Sequence, residues 1–519
     1  MIVSEDEPTL TEALNGNKCS EWYDVVDAEL SQMEKVDTWI PVVPLPDANI
    51  ILSHYVFCHK HDAAGNVASY KAQLIIKGFR QQFGVDYIET FAPTVWASTL
   101  QILLSFAAQK NAAVHQCDIK NAYLNSHLQD GIELYSELPP KYENFCSLPL
   151  ELKGKPNVVC KWLVTVYGSK QGAHDWYAEV KSFFLNLRYS VSTVDEVMFY
   201  LYHGDTFIIV AATTDDFTVI ANSTENTNNL IQKQLTMHFE ISDLGPINWL
   251  LGISIMCNLE DKTISLSQQA YVEQIISRFD LQNAWTTITP MEPRIDLSFD
   301  SPTVSLTLLT PTKKTKYREM ISSLMYAAIM TCPDIAFTIS TLSQYLDTPR
   351  TTHLIAVTRV FRYLSGTKGL KLVLGGNDSD ITRYSDADCH SISGFAYFIG
   401  AGVINWSSKK QPIITLSSTK AKYVALTHAS KDILWIHKLL TKLSSIFSFT
   451  LPTTLFCDNQ GTIQLSKDSD IHFHFICQSI TSGHITMQYC PTDDMIANIF
   501  TKSLSHVKYK NFHTLLRVI

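Results

Sequence analysis

The sequence predicts a multidomain protein of mixed α/β and α+β class, and three observations lead to this fold class. The chain has 519 residues, which suits roughly two to four domains of ordinary size. Segments with the apolar spacing of strands alternate with segments that have the spacing of helices. From about residue 370 the pattern restarts with a series of strands, which indicates a separate C-terminal domain.

Composition and charge narrow the class of protein. Hydrophobic residues make up 46% of the chain and charged residues 18%, a balance typical of folded proteins rather than disordered ones. The formal net charge is -9, so a nucleic-acid-binding surface would require Lys and Arg to cluster on one face. The 11 cysteines are scattered without a C-x-x-C pair, which favours a reduced compartment.

Neither a signal peptide nor a membrane span is expected. The N-terminal stretch MIVSEDEPTL is acidic and lacks the apolar core of a signal peptide. The sequence also lacks the run of about 18 apolar residues that a membrane-spanning helix requires. We therefore expect an intracellular protein without a membrane partner.

Several elements are predicted in the N-terminal half. Residues 1–37 are expected to be a helical lead-in, because EWYDVVDAELSQMEKVDTW has amphipathic helical spacing. SHYVFCHKHDAAGNVASYKAQLIIKGF predicts two strands joined by a turn at Gly65 and Asn66. TLQILLSFAAQKN and GAHDWYAEVKSFFLNL predict helices, and AVHQCDIKNAYL predicts a strand that ends on Asp118.

The later elements follow the same kind of pattern. INWLLGISI and TISLSQQ predict a strand pair, and AYVEQIISRF and YREMISSLMYAAIM predict helices, the second ended by Pro333. Residues 288–315, rich in Thr, Ser and Pro, are expected to be a linker. Beyond residue 370 we expect the strands LKLVLGG, ITRYSDAD, GFAYFIG and VINWSS, a helix over 419–443, the strands TTLFCDNQ and HITMQYC, and a final helix in DDMIANIFTKSL.

One apolar hairpin carries two acids. FIIVAATTDDFTVIA predicts two strands with Asp215 and Asp216 at the turn, although Asp-Asp is a poor two-residue turn. Asp118 also ends a predicted strand, so three carboxylates meet at one sheet edge if the two elements are neighbours. A solvated turn is the alternative, because a second acid pair, Asp493 and Asp494, occurs in the same chain.

Such a group of acids suits divalent metal ions. Carboxylates packed together repel and raise each other's pKa, and a divalent ion removes that penalty. Mg²⁺ binds a few carboxylates and completes its coordination with water and phosphate oxygens. Two such ions suit in-line phosphoryl transfer.

The order of several motifs carries a family resemblance. SYKAQLIIKGFRQQFGVDYIETFAPTV, HQCDIKNAYLN, YGSKQGAHDWY, TTDDF, ISDLGPINWLLG, PDIAF, YSDAD, SSKKQP and CDNQ follow one another. Together they resemble the reverse transcriptase and RNase H portion of the Pol polyprotein of copia-type LTR retrotransposons. The resemblance implies a polymerase with fingers, palm and thumb, followed by an RNase H-like domain with a mixed sheet. It divides the chain into fingers and palm (38–255), thumb and connection (256–369) and an RNase H-like domain (370–519).

The resemblance implies an RNA-directed DNA polymerase that uses two Mg²⁺ ions, an RNA template, a DNA primer and deoxynucleoside triphosphates. Asp118, Asp215 and Asp216 are implied to be its catalytic metal ligands, with Asp118 and Asp215 holding the ions and Asp216 in support. Tyr123 is implied to be the steric gate that selects deoxynucleotides, and a core aromatic is the alternative. Gln171 is implied to lie against the incoming nucleotide, and a surface glutamine is the alternative.

The fingers strand departs from the family pattern. The family tends to read YKARLVAKGF, with its arginine near the triphosphate, and this chain has Gln73 at that position. Arginine offers phosphate a planar, charged fork that glutamine lacks. Lys71, Lys77 and Arg80 remain as substrate-binding candidates.

The RNase H-like region departs further. Asp386 and Asp458 match two of the family's metal ligands, but Lys422 and Asn498 stand where the family has acids. A lysine adds repulsion for a cation and an asparagine carries no charge, so the sequence predicts poor Mg²⁺ binding and an inactive site. The loops between residues 388 and 393 and between 467 and 474 are also shorter than in the family and lack its basic residues.

The departures share a genetic feature. Each can arise from a single C-to-T or G-to-A change in a codon, which indicates a decayed, fungal-type copy, and natural variation within this branch is the alternative. Against the family pattern, arginine is replaced at Gln73, Trp96, Gln101, Cys332 and Cys477. Glutamate is replaced at Lys420 and Lys422, aspartate at Asn498 and glycine at Ser322.

Two functions therefore stay open. The first is an RNA-directed DNA polymerase with an inactive RNase H-like domain. The second is a non-catalytic retrotransposon relic that at most binds nucleic acid. The chain is expected to be the C-terminal part of a longer polyprotein, located in the cytoplasm within a virus-like particle or in the nucleus.

Overall fold

A computed structural model describes most of the chain. The described residues are 8–61, 67–293, 295–299, 301, 307–377, 381–388, 392–400, 402–413, 415, 417–444, 449–467 and 474–519. The turn predicted at Gly65 and Asn66 lies outside them, as do parts of the 288–315 segment and of the two shortened loops.

Helices and strands alternate along the described residues. The α-helices are α1 (Leu10–Asn15), α2 (Cys19–Lys35), α3 (Ala97–Lys110), α4 (Gly172–Asn186), α5 (Thr224–Asn228), α6 (Gln269–Arg278), α7 (Pro311–Met330), α8 (Ala336–Ser343), α9 (Thr351–Thr367), α10 (Ser418–Lys442), α11 (Gln460–Lys467), α12 (His474–Thr481) and α13 (His506–Leu515). The strands are β1 (Trp39–Val42), β2 (Ile50–Ile51), β3 (Ser53–His61), β4 (Val67–Ile76), β5 (Ala113–Ile119), β6 (Leu134–Glu137), β7 (Val159–Trp162), β8 (Ser190–Val191), β9 (Met198–His203), β10 (Thr206–Thr213), β11 (Asp216–Ala221), β12 (Ile241–Pro246), β13 (Trp249–Leu250), β14 (Ile253–Asn258), β15 (Thr263–Ser267), β16 (Leu372–Gly375), β17 (Ile381–Ala387), β18 (Ile392–Ile399), β19 (Gly402–Lys410), β20 (Thr453–Cys457) and β21 (Ile485–Tyr489).

The central sheet has the strand order β12-β5-β11-β10-β9-β8. Both of its faces are buried, which explains why β10 reads as a continuous apolar run rather than an alternating one. One face packs against α4 and contributes Ile208, Val210 and Ala212. The other packs against α3 and contributes Phe207, Ile209 and Ala211.

The hairpin β3–β4 joins the central region through its backbone. On its other side α2 packs on β4, and this helix covers most of the segment with amphipathic helical spacing. The amide of Ile76 donates a hydrogen bond of 3.0 Å to the carbonyl of Tyr167. Gly168 lies beside this bond with a φ of +85°, and a Cβ there would overlap the carbonyl oxygen of Ile76. The close approach of the two segments therefore requires glycine at this position.

The C-terminal part contains a mixed sheet with the order β19-β18-β17-β20-β21. Strands β17, β18 and β19 are antiparallel, whereas β20 and β21 run parallel to β17. The helix α10 packs against this sheet, as the pattern over 419–443 predicts.

The predicted boundary at residue 370 does not coincide with a gap between sheets. Strand β16 lies beyond that boundary, but it pairs with β15 in the sheet β13-β14-β15-β16. The C-terminal residues also pair with β16, because the amide of Val373 donates a hydrogen bond of 2.9 Å to the carbonyl of Arg517. The domain limits stay predictions.

Two predicted elements are wrong in detail. The helix expected in DDMIANIFTKSL is a short 3₁₀ turn, Ile496–Phe500, and the last helix is α13. All residues of this turn are buried, and it packs on β17 and β18, so tertiary packing overrides local helix propensity. The linker expected over 288–315 overlaps α7, which begins at Pro311, an ordinary first position for a helix.

Within the described part of the chain, no helix combines the length and the apolar character that crossing a bilayer requires.

Replacing Gly168 by Ala should destabilise the protein strongly. The added Cβ would collide with backbone and adopt a left-handed φ, and overpacking of this kind typically costs about 1–3 kcal/mol. Gly131 is a matched control, because its φ is +79° but nothing lies within 4 Å of an added Cβ. Thermal unfolding should show a larger fall in melting temperature for Gly168→Ala than for Gly131→Ala, and equal falls would contradict the steric argument.

Candidate active site

The acids of the hairpin and of β5 are brought together by strand register. Strands β11 and β5 are antiparallel neighbours, and their ladder sets Asp216 directly opposite Asp118. Directly opposed residues have Cβ atoms about 4.5–5.5 Å apart. Asp215 precedes Asp216 at the tip of the hairpin, so the predicted convergence of the three residues at one sheet edge is present in the backbone.

The hairpin tip is a two-residue loop made of Thr214 and Asp215, closed by the pair Thr213 and Asp216. Asp216 is thus the first residue of β11 rather than part of the turn. Thr214 has a φ of +52°, a conformation that disfavours β-branched residues and costs about 1–3 kcal/mol.

Two tertiary hydrogen bonds hold this tip. The indole Nε1 of Trp176 in α4 donates to the carbonyl of Thr214 at 2.6 Å. The amide of Ile119 donates to the carbonyl of Asp215 at 2.8 Å. The tip is therefore fixed both by the helix beneath it and by the strand that carries Asp118.

Electrostatics couple the three acids. Burial first, and then the charge of Asp215, raise the pKa of Asp216 above its ordinary value, and Asp118 adds to this effect. A hydrogen bond from Gln116 Nε2 to Asp216 Oδ1 at 3.2 Å opposes it in part.

The charge of Asp215 also acts on two nearby tyrosines, Tyr123 and Tyr167. Burial and then Asp215 raise the pKa of Tyr123, and burial followed by Asp215 and other carboxylates raises the pKa of Tyr167.

Tyr123 lies in a 3₁₀ turn, Ala122–Asn125, directly after the strand of Asp118. Its ring is half-buried and packs against Tyr167 with a centroid separation of 5.1 Å. Its carbonyl accepts hydrogen bonds from Ser126 Oγ at 2.8 Å and from Thr165 Oγ1 at 2.6 Å. The position beside the acids suits the gate role, which stays a prediction.

Gln171 is fully buried, so the alternative of a surface glutamine is wrong. Its Oε1 accepts from Gln81 Nε2 at 2.9 Å, and its Nε2 donates to the carbonyl of Asp86 at 3.0 Å. The amide groups of Gln171 thus bind protein groups and anchor the segment after β4. The nucleotide contact implied for Gln171 stays a prediction, and this geometry favours a positioning role.

The cationic candidates of the fingers lie on β4 and directly after it. Lys71 is exposed near Glu29 of α2, whose pKa burial raises and Lys71 lowers in part. Lys77 is half-buried, and its amide donates to the carbonyl of Leu52 at 2.8 Å. Arg80 is exposed at the end of the 3₁₀ turn Gly78–Arg80. Their contact with a substrate stays a prediction.

The carboxylate oxygens of the hairpin acids are donors of the kind that bind divalent cations. Within the described residues, no three His, Cys, Asp or Glu side chains are arranged as a finished metal site. Bare carboxylates repel, and Mg²⁺ needs only one or two of them together with water and phosphate oxygens. The opposed Asp118 and Asp216 supply oxygen donors of this kind, so the residues present fit a divalent cation.

A second acid pair lies at the ends of two parallel strands. The register of β17 and β20 pairs Tyr384 with Phe456, so Asp386 and Asp458 lie two residues beyond that pair at the same sheet edge. Lys422 of α10 lies between them, with its Nζ 2.8 Å from Asp386 Oδ1 and in contact with Asp458 Oδ1. All three side chains are buried or nearly so.

The charge balance of this second pair differs from that of the hairpin. Burial lowers the pKa of Lys422, but the ion pairs with Asp386 and Asp458 outweigh that effect and leave the pKa raised. Thr501 Oγ1 donates to Asp386 Oδ2 at 2.7 Å. Asn498, in the fourth predicted position, donates from Nδ2 to the carbonyl of Thr492 at 2.8 Å. The sequence-predicted residues are therefore gathered here around an ammonium group.

Known proteins resemble this chain in both fold and sequence. Residues 36–293 match the protein family described as "Reverse transcriptase (RNA-dependent DNA polymerase)". The matched segment is just under half of the chain and carries the sequence pattern of that family.

The similarity extends beyond the matched segment. The chain is 31% identical over 98% of its length to the "Retrovirus-related Pol polyprotein from transposon RE1" of Arabidopsis thaliana, and covers 34% of it. It is 30% identical over 98% of its length to the corresponding polyprotein of transposon TNT 1-94 of Nicotiana tabacum, and covers 39% of it. The resemblance to copia-type Pol polyproteins is confirmed, and the chain spans little more than a third of these relatives.

A solved structure shares the fold. It is a foamy viral protease-reverse transcriptase in complex with ds DNA, with a TM-score of 0.51 and 11% identity, over 90% of this chain and 69% of that one. The predicted fold class, a polymerase followed by a mixed-sheet domain, is confirmed. The "Transposon TyH3 Gag-Pol polyprotein" of Saccharomyces cerevisiae is 21% identical over 93% of this chain, and the chain covers 28% of it. Both plant relatives named above have a higher sequence identity to the chain. The fungal origin stays a prediction.

Several supporting residues of the candidate site are not predicted by the sequence. Gln116 could have been found, because it precedes Asp118 by two residues and therefore lies on the same face of the strand. Trp176 lies within the helix predicted from GAHDWYAEVKSFFLNL, but its hydrogen bond to the hairpin tip depends on how α4 packs under the sheet. The contacts of Gln81 and Asp86 with Gln171 have no sequence signal of their own.

Replacing Asp216 by Asn should raise the melting temperature in Mg²⁺-free buffer near pH 7, because it removes a disfavoured charge. The raised pKa means that the penalty is present above the folded pKa and disappears as the pH falls toward the ordinary Asp value of about 3.9. Thermal unfolding in EDTA across this range should therefore show a gain that shrinks at acid pH.

Asp205→Asn is the matched control for this experiment. Asp205 is an exposed acid in the turn at the opposite end of β10, so its replacement should leave the melting temperature nearly unchanged. If Asp216→Asn were less stable than the wild type at every pH, the repulsion inferred for the hairpin acids would be refuted.

Proposed function

We propose that this chain synthesises DNA on an RNA template, with Asp118, Asp215 and Asp216 as its catalytic carboxylates. One observation carries the proposal, namely the register that sets Asp216 opposite Asp118 with Asp215 at the adjoining tip. The match of residues 36–293 to the reverse transcriptase family supports it. The partners proposed are an RNA template, a DNA primer and deoxynucleoside triphosphates.

The carboxylates are proposed to hold two Mg²⁺ ions. When bound, such ions polarise the attacking and leaving oxygens of in-line phosphoryl transfer. Burial first, and then the charge of Asp215, raise the pKa of Asp216, and a bound divalent cation would relieve the repulsion between these acids.

The chain's own residues supply position. The ladder between β5 and β11 fixes the Cα positions of Asp118 and Asp216, and the bonds from Trp176 and Ile119 fix the hairpin tip. Tyr123 supplies a half-buried ring beside Asp215, where it would contact the sugar of an incoming nucleotide. Preorganisation of this kind lowers the barrier because the reacting groups need little rearrangement.

We propose in addition that the RNase H-like site is inactive. Lys422 forms ion pairs with both Asp386 and Asp458, so its ammonium lies where a divalent cation would have to bind. An entering cation would have to displace a buried charge that is already paired. The side-chain oxygen Oδ1 of Asn498 is buried and has no hydrogen-bond partner among the described residues. Because an amide is uncharged, it cannot replace a carboxylate as a metal ligand.

The non-catalytic alternative has its own supporting observations. Gln73 stands in place of the family's arginine on β4, and Thr214 holds the hairpin tip in a strained conformation. A relic of this kind would bind nucleic acid without extending a primer. The location in the cytoplasm or nucleus stays a prediction in either case.

Primer extension tests the polymerase proposal. With an RNA template, a DNA primer, deoxynucleotides and Mg²⁺, the wild-type chain should extend the primer, and Asp215→Asn should reduce the rate by at least about 100-fold because a metal-binding charge is lost. Asp205→Asn should extend the primer at the wild-type rate. A folded wild-type protein that extends no primer would establish the relic instead.

Cleavage of an RNA/DNA hybrid tests the second proposal. The wild-type chain should leave the RNA strand intact in Mg²⁺. Lys422→Ala should lower the melting temperature, since removal of one partner of a buried ion pair typically costs about 3–5 kcal/mol. Lys420→Ala, an exposed lysine of the same helix, is the control and should change the melting temperature little. RNA cleavage by the wild type that Lys422→Ala abolishes would refute the proposal.

A further inference from the structure

A groove lies between the reverse transcriptase region and the C-terminal mixed sheet, and its lining includes no residue of either acid cluster. It consists of two adjoining cavities of about 400 and 480 Å³. Trp96, Ser98, Asn405, Trp406 and Ser407 line both cavities, so that the two are continuous. The combined space is within the range of ordinary small-ligand sites.

Three tryptophans form the aromatic part of this groove. Trp96 precedes α3 and is 61% exposed, which is unusual for so large an apolar side chain. Its ring lies 5.8 Å from that of Trp435 in α10, with a tilt of 39°. Trp406 on β19 is held by a hydrogen bond from Nε1 to the carbonyl of Ala328 at 2.8 Å. Trp406 and Trp435 are therefore presented on regular elements, and Trp96 is the residue directly before the first turn of α3.

Positive charge collects at one end of the groove. Lys409, His428 and Lys431 line the larger cavity. Burial first, and then Lys431 and Lys409, lower the pKa of His428, which favours its neutral form, so the positive charge at this end comes from the two lysines. Asp432 is the acid lining this end, and it is already bonded to the buried Arg383 at 3.2 Å. The end therefore has an excess of positive charge.

The other end of the groove is apolar with a polar edge. Met325, Ala328, Ile329 and Ile339 of α7 and α8 form its wall. The hydroxyl of Ser408 also lines it, and this buried oxygen has no hydrogen-bond partner among the described residues. A buried polar atom without a protein partner indicates a place for a ligand or water atom.

We propose that this groove binds a nucleotide unit, with its base stacked at Trp96 and Trp406 and its phosphate at Lys409 and Lys431. Flat indole rings suit stacking by any base, and adjoining cations suit the backbone phosphate. The ligand is either one nucleotide of a single strand or a free mononucleotide, which present the same chemistry. The site does not depend on the hairpin acids or on a metal ion.

Binding in EDTA separates this site from the proposed polymerase function. The full-length chain is titrated with two probes, a fluorescein-labelled oligo(dT) and AMP, and binding is followed by anisotropy and by calorimetry. Trp96→Ala should weaken binding by about five- to 100-fold, as expected for the loss of one stacked ring. Lys431→Glu should weaken it as well and reduce the salt dependence of oligonucleotide binding by about one phosphate contact or more.

Matched controls use an exposed tryptophan and an exposed lysine elsewhere. Trp285 is 87% exposed, and Lys155 lies in an exposed turn. Trp285→Ala and Lys155→Glu should bind both probes as the wild type does. Thermal unfolding of all four variants checks that each is folded, and Lys431→Glu keeps the test valid if Trp96→Ala proves unstable.

Each outcome decides the proposal. Weaker binding of both probes by the groove variants supports a site that accepts free nucleotides, and weaker binding of the oligonucleotide alone supports a site for a strand. If the wild type binds neither probe, or if the groove variants bind as the controls do, the proposal is overturned. Because EDTA removes Mg²⁺, neither result depends on whether the chain extends a primer.

Discussion

The antiparallel ladder between β5 and β11 is the interaction on which the site depends. It forces two carboxylates, Asp118 and Asp216, to face each other across a strand pair, an arrangement that is unfavourable without a counter-ion. The sheet can hold this repulsion because both of its faces are buried against helices, and the apolar residues of β10 and β11 stabilise the hairpin. The strain at Thr214 is held in the same way, by a helix beneath the tip.

The chain holds two acid pairs at strand ends, and they differ in how their charge is balanced. At the hairpin, burial first and then the charge of Asp215 raise the pKa of Asp216. In the C-terminal sheet, Lys422 supplies a positive charge from within the protein and pairs with Asp386 and Asp458. The hairpin acids would be stabilised by a bound cation, whereas in the C-terminal sheet the ammonium of Lys422 already balances the charge of the two acids. This contrast is the physical basis for proposing one active site and one inactive site.

The two halves of the chain are packed together rather than simply linked. One apolar core runs from α3 through α7 and α9 to the C-terminal sheet. Strand β16 and the chain terminus add backbone pairing to the sheet that precedes them. The groove lined by Trp96, Trp406 and Trp435 forms along this junction, so its shape requires both halves.

Most helices and strands, the apolar hairpin, the order of motifs and the identity of the acids follow from the sequence alone, because they depend only on local periodicity and residue type. The tertiary structure decided what local patterns cannot encode. It put Asp216 rather than Asp215 opposite Asp118, buried Gln171 in a network of amides, and turned the expected last helix into a tight buried turn. It also placed Lys422 between two acids that lie far from it in sequence. Strand register and long-range packing set these features, because each depends on which distant segments share an edge or a face.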